Sequence, residues 1–296
     1  MLLYIEKEFA IAFEKVILEI DPFEKPDDDN ASHRLLELFK NFTDLQVYSD
    51  VQQDEKIQIR LFRMLLNYNA VIRNFDQFQY EISKPISPLQ LLAFTMKRNE
   101  WADSFVKKGG LYFTVDNYLK EISNMLIFEK SIRFTELKKN FNWTDISYIS
   151  SLPAERAFVI DNYWIDNKVK REKNLYPLLR VLSRIKTDCF VFEMFMDESK
   201  LNLNKQVWSE IEEEIQSFIE EEDMNIDVKF KKYNSKKGSN YNFHDRKLFL
   251  KYIKVEVGKG FDLLPYKNDE ISDKKIIIRT IFDKDTYDDF RNYYIE

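Results

Sequence analysis

Along the chain the apolar positions switch repeatedly between a strand period of two and a helical period near three and a half, and each switch marks an element. "LLYIE" at the start is a short apolar run of strand length, and a helical stretch follows through Ile17. The loop "DPFEKPDDDNAS" comes next, where Pro22, Pro26 and Asp27 to Asp29 favour a solvated turn and Asn30 or Ser32 is placed to cap a helix over "HRLLELF". "LQVYS" reads as a strand and "EKIQIRLFRMLLNYNAVI" as one helix. "LLAFTMKRNEWADSFVKKGGLYFTV" reads as strand, helix, Gly-Gly break and strand, with "KKGGLY" a turn in preference to a phosphate cradle. Residues 1–148 are therefore expected to form an α/β domain, with a boundary in "NWTDISYISSLPAER", where Pro153 and a serine pair interrupt the pattern.

Residues 149–296 alternate in the same way. "RAFVIDNYW", "CFVFEMF" and "NIDVKFKKY" are strands, separated by helices over "NLYPLLRVLSRI" and over a Glu-rich run in which Trp208, Ile211, Ile215 and Phe218 share a core-facing stripe. "HDRKLFLKY", "IKVEVG" and "KKIIIRTIF" are further strands, and "KDTYDDFRNYY" is a closing helix. The fold class expected is α/β, with the second domain a mixed sheet flanked by helices.

Composition narrows what such a chain can do. A hydrophobic share of 44% is core material enough for two domains and excludes a disordered chain. The single cysteine, Cys189, excludes an intrachain disulfide and a cysteine-rich metal site, and points to a reducing cytoplasm. No apolar run reaches membrane-spanning length. The net charge of −6 argues against general nucleic-acid affinity, yet residues 227–267 hold eleven Lys and Arg against four Asp and Glu, so a local basic strip survives. Twenty-five Phe and sixteen Tyr exceed what two cores need to hide, which leads us to expect a protein partner or a second copy, docking through "DTYDDFRNYYIE" or an exposed face of the first domain. A strand such as "KKIIIRTIF" at a sheet edge would add to that tendency.

Candidate chemistry concentrates in "FHDRKLFLKYIKVEVGKGFD", which holds one of two histidines and two of five glycines. His244 and Arg246 are the catalytic candidates. Arg246, Lys254 and Lys259, with Lys236 and Lys237, are the cations placed to meet a phosphate, and Gly258 and Gly260 let backbone N–H groups approach an anion. Strand alternation sets Arg246 with Leu248 and Leu250, so Arg246 is expected to be the most buried of the set. A structural reading stands beside these, in which His244, Asp245 and Arg246 pin the start of a strand through local bonds. No cofactor and no metal ion is expected.

The series "FVIDNYW", "LYPLLRVL", "FHDRKL" and "GKGFDLL" resembles the phospholipase-D-like C-terminal domain of MIT-domain-containing proteins, over residues 150 to 296. The resemblance implies a fold that binds phosphoinositide head groups without hydrolysing them, and it carries Asp161 and Asp166, which flank Tyr163 and Trp164, onto the family's Asp-aromatic position. In phospholipase-D-type enzymes a lysine and an aspartate follow the histidine. Here Arg246 takes the lysine's place and Lys251 the aspartate's, and a cation there lowers a histidine's basicity. The first half shows no MIT-like pattern. Its acids Glu6, Asp50 and Asp103 resemble those of a PIN-type nuclease, which implies bound Mg²⁺, although Lys97 and Arg98 stand where that family places an acid. The function expected is a non-catalytic binding or scaffolding protein, an accessory subunit of a prokaryotic assembly such as a defence system, taking a lipid head group or nucleic acid. The alternative is a nuclease or phosphodiesterase.

Overall fold

Each strand of the first half is four or five residues long, and those in the centre of its sheet are buried on both faces, as parallel pairing with helices on both sides requires. The computed structural model describes residues 1–19, 30–41, 45–84, 90–133, 143–161, 165, 167–187, 190–197, 205–233, 246–257, 261 and 275–294. They fall into two compact units, Met1–Glu129 with Thr280–Glu296, and Lys130–Arg279. The division thus lies at 129/130 and not at 148/149, because Lys130–Arg133 (β6) pairs antiparallel with Lys275–Thr280 (β12) and so joins the second sheet.

In the first unit, Leu2–Ile5 (β1), Gln46–Ser49 (β2), Val71–Asn74 (β3), Leu91–Thr95 (β4) and Leu111–Thr114 (β5) form a parallel sheet of order β3-β2-β1-β4-β5. Helices Lys7–Glu19 (α1), Ala31–Asn41 (α2), Arg60–Asn67 (α3), Phe75–Ser83 (α4), Ala102–Lys107 (α5) and Tyr118–Leu126 (α6) connect the strands. Asn30 caps α2, its side-chain oxygen accepting from the Ser32 and His33 N–H groups.

The stretch expected as one helix over 55–72 divides into α3 and β3. Asn69 adopts the left-handed conformation at φ 63°, and the Ala70 and Asn69 N–H groups turn back to the carbonyls of Leu65 and Leu66, a hydrogen-bonded stop that ends α3. Gly109, at φ 75°, ends α5 in the same way, with the Gly110 and Gly109 N–H groups on Phe105 and Val106. Gly110 is required by space as well, since a β-carbon there would lie 2.3 Å from the Phe105 ring.

In the second unit, Arg156–Ile160 (β7), Val191–Asp197 (β8) and Asp227–Tyr233 (β9) run parallel, and Arg246–Leu250 (β10) and Ile253–Val257 (β11) form a hairpin antiparallel to β7. With β12 and β6 the order is β6-β12-β11-β10-β7-β8-β9. A helix passes from Lys168–Lys170 through a π-helical turn, Arg171–Leu175, into Tyr176–Leu182 (together α7), and Lys205–Glu221 is α8. Trp208, Ile211 and Ile215 are buried as the stripe requires. Phe218 is half-buried, its ring stacked on Tyr176 at 4.0 Å. Glu214 locks the two helices together by accepting from the Arg171 guanidinium at 2.6 Å and the Tyr176 hydroxyl at 2.7 Å.

The aromatic surplus is taken up inside. Among the described residues Phe9, Phe13, Phe39, Phe62, Phe78, Phe94, Phe105 and Phe190 are fully buried, and Tyr68 and Tyr80 are the large aromatics left exposed. β12 is flanked on both sides, and Tyr287 and Phe290 of the closing helix Lys284–Tyr294 (α9) are buried.

Beneath the β10–β11 turn lies a buried ion pair. The Lys251 ammonium stands 2.6 Å from both carboxylate oxygens of Glu155, with side chains 2% and 8% exposed. Burial pulls the lysine below its ordinary range while Glu155 works the other way. Glu155→Ala strands that ammonium and is expected to lower stability by about 3–5 kcal/mol in urea unfolding, whereas Glu155→Leu with Lys251→Met recovers most of the loss. A single-variant loss within about 0.5 kcal/mol, as at an ordinary surface site, would show that the pair carries no such load.

Candidate functional site

β7 ends at Ile160, and Asp161 follows directly at its carboxyl end. Lys247 pairs with Ile160, so one step further Arg246 and Asp161 come level. Asp161 is 3% exposed, and its carboxylate accepts the Phe261 N–H at 2.5 Å. Phe261 is fully buried with its ring on Trp143 at 6.2 Å. On the other side Arg246 pairs with Val257, the last residue of β11. The chain between Val257 and Phe261 is Gly258-Lys259-Gly260, and its two flanks are thereby fixed beside Arg246 and Asp161.

Lys254 does not share this place. The hairpin register sets Arg246 against Val257 and Phe249 against Lys254, so Arg246 and Lys254 lie on opposite faces of the sheet. Lys254 is 6% exposed with its ammonium 3.6 Å from Glu256. It is therefore more buried than the half-buried Arg246, and the expectation that Arg246 is the most buried of the set is corrected. Both faces of β10 are covered, which is why alternation of polar and apolar residues misjudged the pair. His244, Lys236, Lys237, Gly258, Lys259 and Gly260, like Asp166, Tyr163, Trp164 and Cys189, lie outside the described residues.

The basic strip is partly neutralised where it is described. Lys229 meets Asp227 at 3.2 Å, Lys231 meets Glu193 at 3.8 Å, and Lys232 meets Glu212 at 3.7 Å while lying over the Trp208 ring at 4.4 Å. Glu193, 4% exposed, also holds the Arg156 guanidinium, its Nε at 2.7 Å. These lysines sit on β9, an edge strand, where charge discourages further pairing. Glu155 escaped the sequence reading altogether, although a glutamate directly before a buried strand was the available sign.

No protein-family model matches this sequence, and a search of curated proteins finds no match. The phospholipase-D-like reading therefore rests on the motifs quoted above. Among the described residues no helix is long and apolar enough to cross a membrane.

The first unit brings Glu6 and Asp50 level at the ends of β1 and β2, while Asp103 stands apart, 79% exposed and paired with Arg98. Among the described residues no three His, Cys, Asp or Glu side chains gather as a metal site. Glu6 is half-buried; burial pushes its carboxyl above the usual range, a bond from the Met96 N–H lowers it, and the charge of Asp50 raises it again. A raised carboxyl binds its proton more tightly folded than unfolded, so its contribution to stability is present below the ordinary value of 4.5 and is lost as pH rises through the raised one. Relative to Glu6→Gln, the wild type is expected to lose stability across that window and stay level above it. A difference that is flat from pH 4 to 7 would contradict the shift.

Proposed function

We propose that this chain is a non-catalytic binding protein whose second unit takes a phosphate group at the carboxyl end of β7. One observation supports the reading: Arg246 opposite Val257 and Phe261 bonded to Asp161 put Arg246 and the two residues that flank Gly-Lys-Gly in the sequence at one end of one sheet. A guanidinium is suited to a phosphate because its planar donors match two oxygens at once.

The absence of turnover in this reading follows from Lys251. Phospholipase-D-type hydrolysis needs a carboxylate to hold the histidine in the correct tautomer. The residue at that position here is a cation, and its ammonium is committed to Glu155 at the far end of β7. Neither charge is then available to orient an imidazole.

The test is co-sedimentation of the full chain with phosphatidylcholine vesicles carrying a phosphoinositide, run beside soluble inositol phosphate and single-stranded DNA to separate the sources of phosphate. Binding is expected to fall steeply with added salt. Arg246→Glu is expected to weaken it by about tenfold or more, the loss of one charge-assisted hydrogen bond. Retention that ignores both salt and Arg246, or no retention on any phosphate-bearing probe at low salt, would overturn the proposal.

A further inference from the structure

The chain leaves the first unit after Glu129 and re-enters it at Thr280, and one carboxylate stands at both crossings. One oxygen of Glu129 accepts the Thr280 N–H at 3.1 Å and the Thr280 hydroxyl at 2.7 Å. Its other oxygen accepts the Arg34 guanidinium of α2 at 2.9 Å. Thr280 is fully buried, so both of its donors depend on this carboxylate.

Thr280 in turn starts α9. Its hydroxyl oxygen accepts the Phe282 N–H at 3.3 Å, its carbonyl accepts the Asp283 N–H at 3.1 Å, and the Asp283 carboxylate caps the helix by accepting the Thr286 N–H at 2.8 Å. Ile281, Phe282, Tyr287 and Phe290 are buried, while Lys284, Asp285 and Asp288 are exposed. Thr286 breaks this division, because it is fully buried and its hydroxyl has no hydrogen-bond partner. A helical threonine can return its hydroxyl to a carbonyl one turn earlier. Left unmade, that bond costs the packed state the hydration the hydroxyl had in water. The segment is therefore held by a polar catch at its first residue and opposed from within by a group that gains partners when it leaves.

We propose that residues 280–294 are a strap that opens and recloses on the first unit as one piece, with Glu129 as its catch and Thr286 favouring the open state. The two bonds from Thr280 to Glu129 break together, and the Phe282 and Asp283 N–H groups that Thr280 holds go with them, so the start of α9 is released in one step. Opening brings Tyr287 and Phe290 out of the core, and these are aromatic positions of the stretch in which docking to a partner was expected. The strap belongs to the first unit and stands or falls separately from the phosphate site of the second.

Native-state hydrogen exchange of the full chain, followed amide by amide at rising urea below the unfolding transition, tests the proposal. The amides from Tyr287 to Phe290 are expected to lose protection together, with protection factors about tenfold or more below those of Leu3 and Leu92 at the sheet centre. Their dependence on urea should be shallower, because opening the strap exposes less surface than unfolding the unit. Glu129→Ala strands the two Thr280 donors and is expected to lower the strap's protection about tenfold. Thr286→Val keeps the shape and removes the unpaired hydroxyl, and is expected to raise it about fivefold. Strap amides that exchange only with the sheet centre, at the same protection and the same urea slope, would overturn the proposal. So would a Thr286→Val variant with lowered protection, or a Glu129→Ala variant with none lost. Should Glu129→Ala not fold, the wild-type and Thr286→Val measurements decide the matter alone.

Discussion

Glu155 and Lys251 bring two full charges out of water, and that cost is tolerable only because both carboxylate oxygens lie 2.6 Å from the ammonium. The pair fixes the turn of the β10–β11 hairpin against the start of β7, and the register of β10 on β7 follows from that anchor. At the opposite end of the same strand Asp161 holds the Phe261 N–H. β7 thus carries a buried carboxylate at each end, with the hairpin and its continuation tied at both. Arg246, on β10, is placed by these two ties. A basic strip read from sequence becomes specific only through them, because the exposed lysines of β9 already have acidic neighbours and Lys254 is turned to the other face.

Both units place polar side chains at strand ends, for the same reason. Their central strands are buried on both faces, which leaves the edges, the strand ends and the connecting turns as the places where charge remains solvated. The charges that gather there differ in sign. In the first unit they are Glu6 and Asp50. In the second they include Arg246, level with Asp161.

The alternation of strands and helices was legible because each short apolar run was bounded by turn residues, and the Gly-Gly break and the Asn30 cap carried their mechanisms in their identities. The long helix expected over 55–72 failed at Asn69. An asparagine inside an apolar pattern reads as helical by period, yet its tolerance of the left-handed conformation lets it stop α3 and start β3. Strand β6 was missed because its partner β12 is far along the chain and nothing local announces the pairing. The face of Lys254 was misread for a related reason: on a strand buried on both sides, polarity no longer reports orientation, and only the register does. Asp161 was singled out beside its aromatic neighbours, whereas its bond to the Phe261 N–H depends on a residue far along the chain.

The central claim is that the second unit binds phosphate without cleaving it. The most direct measurement is hydrolysis of bis(p-nitrophenyl) phosphate and of single-stranded DNA by the purified full chain, with and without Mg²⁺, in the wild type and in His244→Ala. The account predicts no release above the enzyme-free blank for either protein. Hydrolysis by the wild type that disappears in His244→Ala would contradict it.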